Sequence, residues 1–254
     1  MTGSCKLCQR DNVQLQRSHF LPSALYRIVR DNKLPNPNPV FVESGGGPKQ
    51  SPRQITAHLL CADCESRFNE KGEKWVLQNC CRRGSFPLRT MLSAAAPRQT
   101  EEGAKLYYAA DVAAIDVTSI VFFAMSVFWR AAVHDWKIGL SGKPIPLGPF
   151  EKAIRLYLMG EAGFPNDCAL WVSLPEGTSF MAFISPYCKK LPECHVFKFV
   201  IPGILFNLFL GKRVPLETRA FCFVRGTGNP ILVTPVFDYW VKRDVVSMSR
   251  PVDG

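Results

Sequence analysis

The chain has 254 residues, which is enough to bury the core of one large domain or of a small domain followed by a larger one. Apolar residues make up 47% of it and charged residues 20%, a balance that is typical of a globular protein and excludes a disordered one. The net charge of +10 lies mostly in residues 1–100, which hold 15 Lys and Arg against 7 Asp and Glu. Such an excess favours a partner rich in phosphate, although it also serves solubility.

The N-terminus and the cysteines indicate the compartment. "MTGSCKLCQRDN" has neither the apolar core nor the cleavage site of a signal peptide, so we expect a cytoplasmic, reducing location. Paired cysteines in such a location are more typical of metal ligands than of disulfides. The longest apolar stretch, residues 120–133, is interrupted by Arg130 and is too short to cross a bilayer, so no membrane partner is expected.

Two Cys-x-x-Cys pairs bracket the first part of the chain. Cys5, Cys8, Cys61 and Cys64 supply four thiolates, the ligand set of a tetrahedral structural zinc ion. The alternatives are a redox pair or free thiols, and neither pair has the strand–CxxC–helix context of a redox motif. Because a four-thiolate site leaves no open coordination position, His19 in "SHFLP" is available for another task.

The second cysteine pair leads into a predicted helix that begins at Cys64. Glu65, Asn69 and Glu73 recur at every fourth position and would form one stripe of this helix. Gly72 suggests an end or a bend just before Glu73.

We predict two domains, residues 1–92 and residues 93–254. The first is basic and carries the cysteine pairs; within it, residues 33–54 are rich in Pro, Gly, Asn and Ser and are predicted as a long loop. Residues 94–105 are predicted as a linker between the two domains.

Helices and strands are both predicted in the second domain. Residues 116–136 form a helix buried on most sides, in which Arg130 needs a carboxylate or carbonyl partner; Asp116 and Asp135 are the nearest acidic residues. Residues 147–160 form a shorter amphipathic helix that ends at a glycine. The predicted strands start at Cys168, Ser179, His195, Ile204, Ala220 and Ile231. The expected fold class is therefore α+β, with a zinc-stapled first domain and a mainly antiparallel sheet in the second.

The segments "CKLC", "SHFLP" and "HLLCADCESRFNEKGE" resemble the zinc-bearing branch of the HNH endonucleases over about the first 75 residues. In that family a CxxC pair precedes a strand with an acidic-His-x-x-Pro motif, and a second CxxC pair leads into a helix that starts with Asn or His. His19 and Pro22 match the His-x-x-Pro motif, whereas Ser18 stands in the acidic position, Glu65 in the Asn or His position, and Thr56 near the family's middle Asn. The resemblance implies a ββα-metal fold for this part.

The resemblance also implies a metal-dependent endonuclease, with a structural Zn²⁺ and a catalytic Mg²⁺ or Mn²⁺. His19 would be the general base, because a histidine near neutral pKa can take a proton from water. Glu65 and Asn69 would bind the catalytic ion, with Glu65 replacing the acidic ligand that is missing at Ser18. His58 would be a second catalytic imidazole.

Nucleic acid is the implied partner, with DNA favoured over RNA, and the family-level role is bacterial restriction or anti-phage defence. Arginine forks would grip the phosphates. The candidates for this role are Arg17, Arg27, Arg53 and Arg67, together with Arg30, Arg82 and Arg83.

Each site residue also has a plainer interpretation. Glu65 and Asn69 would otherwise be a solvated helix face, His19 a packed histidine bonded to a carbonyl, and His58 a residue at a strand entry. The alternative function is a non-catalytic zinc module that binds nucleic acid. A third possibility is a subunit of a larger complex, with a protein partner or a homo-oligomer.

Overall fold

The computed structural model describes most of the chain. The described residues are 1–30, 38, 40–41, 49–50, 54–101, 103–136, 144–177, 181, 183–212, 214–237, 239–240 and 242–243. Most of the predicted 33–54 loop, including Arg53, lies outside them.

Strands and helices alternate irregularly along the described residues, as expected for an α+β chain. The strands are β1 Thr2–Gly3, β2 Val13–His19, β3 Val40–Phe41, β4 Lys49–Gln50, β5 Thr56–Cys61, β6 Gln99–Glu101, β7 Ala104–Tyr108, β8 Cys168–Pro175, β9 Ile184–Lys190, β10 His195–Ile201, β11 Ile204–Leu210 and β12 Pro230–Thr234. The helices are α1 Ser23–Val29, α2 Ala62–Phe68, a π-helical turn Asn69–Glu73, α3 Lys74–Asn79, α4 Pro87–Leu92, a 3₁₀ turn Ala109–Asp111, α5 Val117–Val133, α6 Phe150–Met159 and α7 Leu216–Ala220.

A small antiparallel sheet forms the N-terminal part, with the strand order β1-β2-β5. Across the β2–β5 pair, Ser18 lies opposite Ala57 and His19 opposite Thr56. Helix α2 begins at Ala62, directly after β5 ends at Cys61, so the second cysteine pair lies at a strand–helix junction. A separate two-stranded sheet pairs β3 with β4.

The helix after this junction continues without a break through the π-helical turn into α3. Gly72 lets this helix pack closely against α5. A Cβ atom on Gly72 would lie 2.8 Å from the backbone nitrogen of Phe123 in α5, so only glycine allows the two helices to approach this closely. The helix therefore does not end at Gly72, as the sequence suggested. It continues there through a π-helical turn that packs against α5.

The large sheet has the strand order β6-β7-β12-β8-β11-β10-β9. Its neighbouring strands are antiparallel except for β12 and β8, which run parallel. The sheet is therefore mixed and mainly antiparallel, and the predicted α+β class is confirmed.

Helix α5 lies at the centre of the main core. Phe123 packs on Phe199 and Phe206 of the large sheet, while Phe122 packs on Phe68 of helix α2. Asp116 caps the helix, since its Oδ1 accepts from the backbone N–H of Ser119 at 2.9 Å. No helix among the described residues is both long and apolar enough to cross a membrane.

The predicted boundary near residue 92 crosses a shared core. Buried apolar side chains from residues 1–92 and from residues 93–254 belong to one continuous cluster, which joins Leu60 and Phe68 to Phe123 and Phe206. The division into two domains stays a prediction, but α5 packs against both parts.

Two of the predicted elements in the second part are wrong. Residues 94–105 are not a linker, because β6 and β7 form a hairpin there at the edge of the large sheet, with Gly103 at a φ of +77° in its turn. The predicted strand at Ala220 is instead the end of α7 followed by irregular chain, and it contacts the sheet through a bridge between Leu170 and Val224.

The predicted helices of the second part are confirmed. Val117–Val133 lies within the predicted 116–136, and Phe150–Met159 lies within 147–160. The second of these helices ends at Gly160, whose φ of +77° is the left-handed conformation expected of a C-terminal glycine.

Candidate functional site

The four predicted cysteine ligands lie together. The Sγ atoms of Cys5, Cys8, Cys61 and Cys64 are all within 4.8 Å of one another. In a tetrahedron with Zn–S bonds of about 2.3 Å, neighbouring sulfur atoms lie about 3.8 Å apart, and Cys8 and Cys61 have their Sγ atoms 3.8 Å apart. The cluster therefore could hold a structural ion such as zinc.

Hydrogen-bond donors around the cluster favour negatively charged sulfur. Arg10 donates from Nε to the Sγ of Cys8 and from Nη2 to the Sγ of Cys61, both at 3.4 Å. The backbone N–H of Cys61 donates to the Sγ of Cys5 at 3.3 Å. The pKa of Arg10 is raised by its bond to Cys8 first, then by Asp63 at 2.5 Å and by Cys61. Such outer donors hold thiolate ligands in orientation.

His19 lies at the last position of β2 and is half buried. Its Nε2 is 2.7 Å from the amide Oε1 of Gln54. Because an amide oxygen only accepts, the neutral ring carries its proton on Nε2 and keeps the lone pair on Nδ1. The carbonyl of His19 accepts from Nη1 of Arg130 at 2.9 Å, so both the ring and the backbone of this residue are held.

Glu65 lies in the first turn of α2, on the side that faces Ser18. Ser18 is 1% exposed, and its Oγ accepts the backbone N–H of Leu60 at 3.2 Å. Burial raises the pKa of the Glu65 carboxyl, whereas a hydrogen bond with Ser18 and the charges of Arg130 and His19 lower it. The Oε1 atom of Glu65 is buried and has no hydrogen-bond partner among the described residues. An orphaned carboxylate oxygen of this kind is a position for a cation or a proton.

The side chain of Arg130 extends from helix α5 toward His19 and Glu65. Only 2% of its side chain is exposed, and its Nη2 lies 2.5 Å from Oε1 of Glu73, whose side chain is 15% exposed. Its guanidinium also lies 5.1 Å from the ring centre of Phe68. The buried cation therefore has both kinds of expected partner, the carboxylate of Glu73 and the carbonyl of His19. The carboxylate is not that of Asp116, which caps its own helix.

The members of the predicted stripe differ in burial. Glu65 and Glu73 both point toward the interior, whereas Asn69 is exposed. The extra residue in the π-helical turn makes the step from Glu65 to Glu73 equivalent to two ordinary helical turns, which keeps these two residues on one face.

The remaining predicted site residues make other contacts. His58 is exposed on β5, with its Nδ1 3.4 Å from the carbonyl of Leu15. Arg17 is exposed and donates to Oγ1 of Thr56 at 2.9 Å. Arg67 donates to the carbonyl of Met159 at 3.1 Å, which ties α2 to α6.

Two more of the candidate arginines are at the surface. Arg27 and Arg30 are exposed near the end of α1, and Arg53 lies outside the described residues.

Sequence reasoning missed three contributors to the site. Gln54 gave no signal because it lies in a loop, and Arg10 looked like one of many surface arginines. The pairing of Glu73 with Arg130 joins positions 57 residues apart, and no periodic pattern connects them. A buried arginine in an otherwise apolar helix was the one available signal.

Comparison with family models, with curated proteins and with solved structures found no match for this chain.

Proposed function

We propose that this chain is a metal-dependent endonuclease that hydrolyses phosphodiester bonds, with DNA as the favoured substrate and with β2, β5 and α2 as a ββα-metal unit. The observation that carries the proposal is the buried, unpartnered Oε1 of Glu65 near His19. Both residues are placed by elements that the cysteine cluster joins, because Cys61 and Cys64 lie at the junction of β5 and α2.

His19 is the proposed general base. Its Nδ1 lone pair accepts a proton from the attacking water, while the hydrogen bond from Nε2 to Gln54 fixes the ring and its tautomer. The bond from Arg130 to the carbonyl of His19 holds the strand end against α5. These contacts limit the rotation of the ring, so the base is preorganised.

Glu65 is the proposed protein ligand of the catalytic ion. Mg²⁺ is commonly held by one or two carboxylates together with waters and substrate phosphates, so a single free carboxylate fits such an ion. A bound Mg²⁺ or Mn²⁺ would supply positive charge for the phosphate and the leaving oxygen. Glu73 is already paired with Arg130, and Asn69 is exposed, so neither belongs to this ligand set. A zinc ion held by all four thiolates of the cysteine cluster would have no open coordination position, so its role would be structural.

The test is cleavage of supercoiled plasmid by the purified chain in the presence of Mg²⁺ or Mn²⁺, with a chelator as the blank. We expect His19→Ala to lower the rate by at least about 100-fold, the usual size of a general-base contribution. Glu65→Gln should also lower the rate, because it removes the charged ligand of the ion. His58→Ala is the matched control, because this histidine is exposed and its Nδ1 lies beside the carbonyl of Leu15, and it should cut at the rate of the unmodified chain. Equal cutting by the His19→Ala and His58→Ala variants would remove His19 from the mechanism.

A second candidate function is a non-catalytic module that binds nucleic acid, and Arg130 is the observation that favours it. Its guanidinium already places a buried positive charge beside Glu73 and Glu65. A metal ion bound at Glu65 would neutralise the same negative charge, so Arg130 makes such an ion less necessary. Binding that weakens with salt, without cleavage in either divalent ion, would replace the first proposal by the second.

A further inference from the structure

An open groove of ≈ 930 Å³ lies outside the His19–Glu65 site, where the chain passes from α3 to α4. Three arginines, Arg82, Arg83 and Arg89, line it, and no acidic side chain is among its described lining residues. Its apolar floor comprises Phe86, Met91 and Met181.

Backbone hydrogen bonds hold the turn that carries Arg82 and Arg83 in place. Arg82 and Ser85 exchange backbone hydrogen bonds of 2.8 and 3.2 Å across a tight turn, in which Gly84 has a φ of +82°. The residue before this turn, Cys81, donates its N–H to the carbonyl of Pro202 at 3.0 Å, in the turn between β10 and β11. A Cβ atom on Gly203 would come within 2.5 Å of the Cβ of Cys81, so the two segments are in close contact. The position of the turn relative to the large sheet is therefore set.

The guanidinium groups of Arg82 and Arg89 retain donors for a ligand. Arg82 uses Nη2 on the carbonyl of Leu77 at 2.7 Å, and Arg89 uses Nη1 on the carbonyl of Gly177. Each guanidinium has five N–H donors in a planar fork, so a single carbonyl contact orients it and leaves donors for phosphate oxygens. Arg82 and Arg83 are exposed, and Arg89 is half buried.

We propose that this groove binds a single-stranded segment of nucleic acid. Phosphates would lie along the arginines, and the flat apolar faces of the bases would contact the floor, which is the combination that single-strand binders use. The volume is that of a site for a small ligand, so it accommodates a few nucleotides and not the width of a duplex. A purely acidic polypeptide would use the arginines but would not use the apolar floor.

This inference does not rest on the chemistry proposed for His19. The probe is a labelled single-stranded DNA of about 12 nucleotides, and binding to the full chain is followed by fluorescence anisotropy in a chelator. The variant Arg82→Ala/Arg83→Ala/Arg89→Ala should bind at least about tenfold more weakly, and the slope of log K against log salt should fall by about 2. The matched control Arg98→Ala/Lys189→Ala/Lys190→Ala removes the same charge at exposed positions away from the groove and should keep its affinity.

Folding is checked on every variant by metal content and by the midpoint of thermal unfolding. Since Arg82 and Arg89 also hold carbonyls, the charge-reversing single variant Arg83→Glu is measured alongside, and it should weaken binding by more than the control variant does when both are compared at temperatures well below their unfolding midpoints. Equal loss of affinity in the groove variant and the control would overturn the proposal, as would no binding by the unmodified chain. A duplex of the same sequence that binds as tightly, or poly-glutamate that displaces the strand equally well, would also overturn it.

The two proposals can fail separately. A His19→Ala variant that binds the single strand normally but does not cut plasmid supports both. If plasmid cutting depends on His19 while the groove variants bind like the unmodified chain, only the groove assignment falls. Binding through the groove without any cutting removes the nuclease proposal and leaves the groove.

Discussion

At the scale of single residues, Arg130 is the group that connects the site to the rest of the protein. It lies on the helix of the second part, yet its guanidinium bonds to the carbonyl of His19 and to the carboxylate of Glu73. A charge that is 98% shielded from solvent needs such partners, because burying an unpaired ion is strongly unfavourable. The position of His19 is therefore set partly by a residue more than a hundred positions away.

We expect Arg130→Met to lower the free energy of unfolding by about 3–5 kcal/mol, because it leaves the Glu73 carboxylate without its partner in a largely buried place. The double variant Arg130→Met/Glu73→Met should recover a large part of this loss, since neither charge then remains. Urea unfolding followed by circular dichroism measures all three chains.

A surface pair serves as the control for Arg130. Arg98 and Asp111 also form an ion pair at 2.5 Å, but their side chains are 60% and 43% exposed. Arg98→Met should therefore cost no more than about 1 kcal/mol. Similar losses for Arg98→Met and Arg130→Met would contradict the view that the buried pair stabilises the fold.

At the scale of elements, the cysteine cluster joins three pieces of chain. Cys5 and Cys8 lie in the turn between β1 and β2, Cys61 ends β5, and Cys64 lies in the first turn of α2. Without a clamp, the small sheet has only a few strand pairs and a limited apolar face, which is marginal for stability in water. An ion at the cluster would fix the hairpin against the start of the helix, and so fix His19 against Glu65.

We expect Cys61→Ser to lose the bound metal and to unfold the small sheet, because the binding free energy of a structural zinc ion is also folding free energy. Metal analysis of the purified chain, together with the thermal unfolding curve, measures both effects. Cys188→Ser is the control, since this half-buried cysteine lies on β9 outside the cluster, and it should keep the metal. A Cys61→Ser chain with a full complement of zinc would show that the four thiols are not the ligands.

At the scale of the whole molecule, the two predicted parts are joined by one core. Phe68 of α2 contacts both Phe122 and Trp129 of α5, and the opposite side of α5 packs on the large sheet through Phe123. Removing the second part would expose these side chains to water at a cost of about 25 cal/mol for each Å² of apolar surface. It would also remove Arg130 and leave Glu73 without its partner.

We therefore expect residues 1–92 expressed alone, with zinc supplied, to lack a cooperative unfolding transition, whereas the full chain has one. Thermal unfolding followed by near-ultraviolet circular dichroism distinguishes the two, because it reports the packing of aromatic side chains. A sharp transition in the fragment, at a temperature close to that of the full chain, would show that the first part folds independently.

Local patterns predicted much of this molecule. The spacing of four cysteines predicted their cluster. Apolar runs bounded by Gly or Pro predicted α5, α6 and the strands β8, β10 and β11. Both signals were readable because they depend on residues that are neighbours in sequence. The hairpin of β6 and β7 was missed, since Pro97 and Gly103 looked like linker residues while the gain from joining a sheet edge is not a local property.

What the sequence by itself determined, then, is the α+β composition, the cluster of four cysteines and the presence of a buried cation in α5. Only the tertiary structure decided which partners complete the site: Gln54 at the ring of His19, Glu73 at Arg130, and a π-helical turn that keeps Glu73 on the same face as Glu65. The physical reason is that these choices depend on close packing between segments far apart in the chain. The approach of Phe123 to Gly72 is one such contact, and nothing within either segment alone specifies it.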